Sequence, residues 1–208
     1  GRPWRDRRFR ARLVIEGCAA ALRGVAQDRK SKGAGTSLQA WRGTDSLVAA
    51  DELKHVLRPL QQLLGTIYDA HCGHDVRDFL LTRPQLPPAR RVAADDEEVV
   101  VVTNDAGIHL GVFIDSAVLT RLTQRNPLRQ LTGENIADFW TALEGVSHFS
   151  YLMWNAGHDR GVSQFELELQ AEVDKYIASW WLLRRQHPQH VPRELRHVLF
   201  ERTVVNPL

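Results

Sequence analysis

The stretch from Thr132 to Arg185 limits what this chain can fold into more than any other part of it. It holds two segments, ENIADFWTALEGVSHFSYLMWNA and SQFELELQAEVDKYIASWWLL, each with apolar residues at the helical period. Gly157 and Gly161 bracket the link HDR, where the first helix must stop. Ser163 and Glu166 supply an S-x-x-E capping box for the second helix, with Val162 and Leu167 placed as its hydrophobic staple. Two amphipathic helices on so short a link bury their stripes against each other. The spacing predicts an antiparallel pair over 132–185. Ile136, Trp140, Leu143, Ser147 and Ser150 form one stripe, and Leu169, Val173, Tyr176 and Trp180 the other.

The remaining segments are weaker. Phe9, Leu13, Ala20, Ala21 and Val25 share a helical face, so a basic N-terminal helix is expected over 7–30, ending before RKSKGAGTS. A second helix is expected over 50–71, with a kink near Arg58 because Pro59 sits inside its leucine pattern. RPQLPPARRVAADDEE, 83–98, is proline-rich and polar and reads as a mobile linker. Two β-rich runs around Asn104–Gly107 predict a β-hairpin over 98–115, with Ile108, Leu110, Val112 and Ile114 on its apolar face. Such a hairpin is marginal alone, so it must lie on the helices or join another strand. Short helices are expected near 116–125 and 193–202. The predicted class is mostly α with a small antiparallel β element (α+β), and residues 1–208 form a single domain.

Charge narrows the partners. Residues 1–40 carry ten Lys/Arg against three Asp/Glu, on a chain whose net charge is only +2. Arg5, Arg7, Arg8, Arg10 and Arg12 could meet nucleic acid, although only Trp4 and Phe9 interleave them, unlike a single-strand binder. No apolar run approaches the ~20 residues of a membrane span. Cys18 and Cys72 form no CxxC, which suits two thiols in a reducing cytoplasm.

Chemistry concentrates on the helical pair. Glu144 and His148 are one turn apart, as are Glu168 and Glu172, and antiparallel pairing sets His148 level with Glu172 and Glu144 level with Lys175 or Tyr176. Acids held against an apolar stripe must be paired, ligated or catalytic. One solution is a divalent metal, Zn, Mn or Fe, held by Glu144, His148, Glu168 and Glu172. Another is a protein-only network in which Lys175 and a protonated His148 neutralise the acids, and a third is a solvated acidic face. The pattern E-x-x-x-H is neither the E-x-x-H of di-iron bundles nor the H-E-x-x-H of zinc proteases.

The run YDAHCGHD, 68–75, gathers His71, Cys72, His74 and Asp75, but no second ligand pair follows at zinc spacing, and Gly73 reads as the end of a helix. His187, His190 and His197 read as surface residues. Phosphate-binding glycine loops, G-x-S-x-G and paired CxxC motifs are absent from the sequence, which argues against the common nucleotide-dependent and serine-hydrolase chemistries.

The leading expectation is a non-catalytic cytoplasmic interaction or scaffold protein. It needs no cofactor and meets a protein partner or its own copy through Tyr176, Trp180 and Trp181, the hairpin edge or the basic arm. The alternative is a metal-dependent hydrolase or oxygenase built on the Glu/His cluster.

Overall fold

The structure, a computed structural model, describes residues 13–16, 38–40, 55–92, 95–104, 107–189 and 191–201. The arginines at 5, 7, 8, 10 and 12 and Cys18 lie outside them, as does most of the expected helix over 7–30. Where that segment is described it is a strand, not a helix: β1, Leu13–Glu16. The apolar run LVIE fits either period, and pairing with a neighbouring strand decides for the extended form.

Among the described residues the β element is one mixed sheet. β1, β2 (Leu38–Ala40), β3 (Leu80–Leu81), β4 (Glu97–Asn104) and β5 (Gly107–Ile114) form it, in the order β1-β4-β5-β2, with β3 also on β5. β4 and β5 are antiparallel, in a register that sets Glu97 opposite Ile114 and Asn104 opposite Gly107. β1 is parallel to β4, and β2 and β3 are parallel to β5. The expectation of a purely antiparallel element is therefore corrected. The β4–β5 pair is not left to stand alone, because remote segments extend it on both edges.

Alternation along the strands makes two faces. Val99, Val101, Leu110, Val112 and Ile114 point into the main core, with Ile108 packed at its edge. Val100 and Phe113 point the other way, into a small second core with Leu81 and Leu86. Glu97 shares the parity of Val99 and Val101, so the strand delivers this carboxylate to the helical face of the sheet. Glu98 faces the second core, where Arg90 grips it at 2.8 and 2.9 Å.

The segment 83–98 carries more structure than its composition suggests. It contains a 3-10 turn, Arg83–Gln85, a short helix α2, Pro88–Arg91, and a fully buried Leu86. Helix α1 runs Leu57–Tyr68 without a kink at Arg58, because Pro59 falls in the first turn, where its missing N–H costs nothing. It ends at Asp69, which takes the left-handed cap conformation (φ 49°), four residues before Gly73.

α3 (Ser116–Gln124), α4 (Ile136–Gly157), α5 (Gln164–Gln186) and the single turn α6 (Glu194–Arg196), which leads into a π turn, complete the elements of the described residues. α4 is the central helix, in contact with α1, α3, α5 and the β4–β5 pair. It is buried on most sides, including Phe139 and Phe149, each worth about 1.5–3 kcal/mol of transfer free energy. The capping box at Ser163 and Glu166 forms as the residues predict.

α5 is turned differently from expectation. Its buried residues are Leu167, Ala171, Asp174, Lys175, Ala178, Ser179 and Leu182, whereas Leu169 is 52% exposed and Trp180 41%. The face that turns inward instead carries small residues with Asp174, which finds neutral donors, and Lys175, which finds Glu144 and Glu172.

Candidate functional site

The seam between α4 and α5 is built from polar rungs. Trp140 Nε1 donates to Ser179 Oγ at 2.8 Å, Lys175 Nζ meets Glu144 Oε2 at 2.7 Å, and Ser147 Oγ donates to Asp174 Oδ2 at 2.6 Å. The partner numbers fall along α5 as they rise along α4. Adjacent residues on each helix split the seam in two. Ser147 and Asp174 face α1, while Glu144, His148 and Lys175 look toward the start of β4.

On the β4 side, donor atoms of Glu144, His148 and Glu168 lie within 4.8 Å of one another. His148 is 2% exposed, its Nδ1 lies 3.4 Å from Glu97 Oε1, and its Nε2 lies 3.9 Å from Glu168 Oε2. His148 Nε2 and Glu168 Oε1 are both buried without a hydrogen-bond partner. Native proteins rarely leave such atoms unsatisfied. A donating Nδ1–H toward Glu97 leaves Nε2 with a bare lone pair, as in carboxylate–histidine–metal arrangements.

Glu172 does not join this group. Lys175 Nζ holds it at 2.6 Å, three residues along the same helix, so Glu168 and not Glu172 faces His148. The four-ligand expectation reduces to three residues. Lys175, buried at 1% side-chain exposure, bridges Glu144 and Glu172. Burial pulls its pKa down, but the two carboxylates outweigh that and hold it above the usual lysine value.

Burial shapes the remaining groups. It pushes Glu97 up to about 8 against the pull of Lys175, and Glu168 up to about 7 against the pull of His148. Burial also raises Glu144 and lowers His148, keeping the imidazole neutral as a metal ligand requires. Such an assembly of acids around a neutral imidazole takes up either protons or a cation.

Two participants were invisible in the sequence. Glu97 sits in the acidic run DDEE and read as linker; only its strand parity reveals its direction. Gly145 makes room for it, since a Cβ there would meet Glu97 Cγ at 3.1 Å and Val112 Cγ1 at 3.2 Å.

On the α1 side, Tyr68 and Gln170 join Ser147 in donating to Asp174. His71, Cys72, His74 and Asp75 lie in the loop after α1, beside a cavity on that side. Among the described residues they form no metal-ligand group. Cys72 is a half-buried free thiol that accepts from Gln61, and His74 packs edge-on against Phe79. His187 and His197 are exposed, and His190 lies outside the described residues.

No known protein family, curated protein or solved structure shows significant similarity to this chain. No described helix is long and apolar enough to cross a membrane.

Proposed function

We propose that this chain is a metalloprotein that holds a divalent ion on Glu144, His148 and Glu168. The observation that carries the reading is the pair of buried, unpartnered atoms, His148 Nε2 and Glu168 Oε1, on two residues of one donor group. Two donors each about 2.0–2.2 Å from one ion stand at most about 4.4 Å apart. The 3.9 Å between His148 Nε2 and Glu168 Oε2 falls inside that limit, and the full trio needs closure of only a few tenths of an ångström. Glu144 already meets Lys175 through Oε2, so its other oxygen serves the ion.

One imidazole and two carboxylates suit zinc, manganese or iron. Three protein donors leave a coordination position open, the mark of catalytic rather than structural sites. The chemistry supported is therefore that of a metal-dependent hydrolase or oxygenase. When bound, the ion supplies Lewis acidity or, if iron, redox chemistry. The protein's part is to orient His148 through Glu97 and to balance Glu144 through Lys175.

Elemental analysis of protein purified without chelators or an affinity tag tests this. We expect close to one ion per chain, its loss in Glu168→Gln, and its retention in Glu172→Gln. Zinc would indicate hydrolysis and iron oxygen chemistry. Wild-type protein without metal, whose stability also ignores added Zn, Mn and Fe, would overturn the reading.

A second reading, an interaction protein, is favoured by Phe165 and Leu169, which are 75% and 52% exposed one turn apart on α5. The expected anchors are less available: Tyr176 packs on Phe200, and Trp181 is half-buried under Arg185. A change of molecular mass in solution on Phe165→Ser would support self-association through this face. An unchanged mass would remove it.

A further inference from the structure

The cavity between α1 and the α4–α5 pair is separate from the proposed ion site, since none of Glu144, His148 and Glu168 lines it. Its volume is about 590 Å3, the size of a small-molecule site. Tyr68, Tyr151 and Trp154 give it aromatic walls, and Leu64 adds an apolar one. Trp154 is held in place by stacking on His158, with ring centroids 4.2 Å apart.

The floor holds an unusual group. Asp174 is only 3% exposed, and its donors are the neutral side chains of Tyr68, Ser147 and Gln170. Among the described residues no cationic side chain forms an ion pair with it. The adjacent Lys175 points to the other side of the seam, onto Glu144 and Glu172. Arg58, at the cavity's edge, lies 3.8 Å from Asp75, which Arg77 also holds at 2.7 Å. A buried carboxylate without a counter-charge is costly, and burial raises the pKa of Asp174 despite its three donors, so either a proton or a cation relieves it. Aromatic faces around such a carboxylate add cation–π attraction for the same charge. The nearby Ser150 Oγ, also lining the cavity, is a buried hydroxyl without a partner.

We propose that this cavity binds a flat, mostly apolar amine, with its ammonium group at the Asp174 carboxylate and its ring between Tyr68, Tyr151 and Trp154. The ammonium completes the charge balance that Tyr68, Ser147 and Gln170 leave unfinished, and the ring displaces water from the aromatic walls. An anionic ligand is disfavoured by Asp174, and a neutral one gains the walls alone. The inference does not rest on the metal reading, because it uses none of the ion's ligands.

Three probes of nearly the same shape separate charge from fit: tryptamine, its neutral isostere tryptophol, and the anion indole-3-propionate. Isothermal titration calorimetry of the full chain near neutral pH is expected to show tryptamine binding about tenfold tighter than tryptophol. Indole-3-propionate should bind weakest. Asp174→Asn should erase the preference for the amine. Since that change falls in a buried network, Trp154→Ala provides a second test at a 42% exposed position, where folding tolerates truncation. It should weaken tryptamine about fivefold or more. Absence of tryptamine binding at millimolar concentration, equal affinity for amine and alcohol, or tighter binding of the acid would each overturn the proposal.

Discussion

The Lys175 ammonium is buried between the carboxylates of Glu144 and Glu172. Removing one partner of a buried pair leaves the other uncompensated, so Lys175→Met should destabilise the metal-free protein by about 3–5 kcal/mol. Equilibrium denaturation in a chelator measures this. Glu97 gives a pH signature instead. Its pKa in the folded chain is raised to about 8, so the folded state keeps a proton that the unfolded chain has released. That contribution is complete below about pH 4.5 and is lost as pH rises through about 8. The melting temperature of the metal-free protein should therefore fall between about pH 5 and pH 8.5, and Glu97→Gln should flatten the decline. A slope unchanged in that variant would assign the effect elsewhere. Glu144 and His148 were legible as neighbours, since helix period sets them on one face; the partner across the seam was not, because antiparallel pairing pointed to Glu172 and the structure places Glu168 there. Glu97 was not legible either: an acidic run before a strand has no period of its own, and only pairing with β5 fixes its direction.

At the scale of elements, ends were easier to read than faces. Ser163 and Glu166 marked the start of α5 because a capping box is a local arrangement of four residues. Ser163→Ala should cost about 1 kcal/mol by thermal or chemical unfolding, the value of a lost N-cap. The orientation of α5 was not legible, because this helix carries two competing stripes. One is apolar, with Leu169 and Trp180; the other is small and charged, with Ala171, Asp174, Lys175 and Ala178. A moment summed from hydrophobicity favours the first. The structure selects the second, because Ser147, Glu144 and Tyr68 wait on the facing elements to satisfy those charges. Pro59 shows the same limit. Its meaning depends on where α1 begins, which the leucine pattern does not settle.

The whole molecule is held together by pairings distant in sequence, and these were the least legible. LVIE at 13–16 and LQA at 38–40 are too short to announce strands, yet each finds a parallel partner on the β4–β5 pair. Close approach of β3 to β5 depends on Gly111, where a Cβ would lie 2.6 Å from Leu81 Cδ1. Gly111→Ala should cost about 1–3 kcal/mol by overpacking, read as a lower unfolding midpoint. The polar seam of α4 and α5 has a consequence at this scale. Ser147 and His148 share a peptide bond, as do Asp174 and Lys175, yet each pair divides between the cavity and the proposed ion site. Neither helix can rotate to suit one occupant without moving groups that serve the other. Any effect of an amine on ion affinity must be returned as an equal effect of the ion on amine affinity. Were both proposed occupants to bind, the two sites would be linked through two covalent steps of backbone.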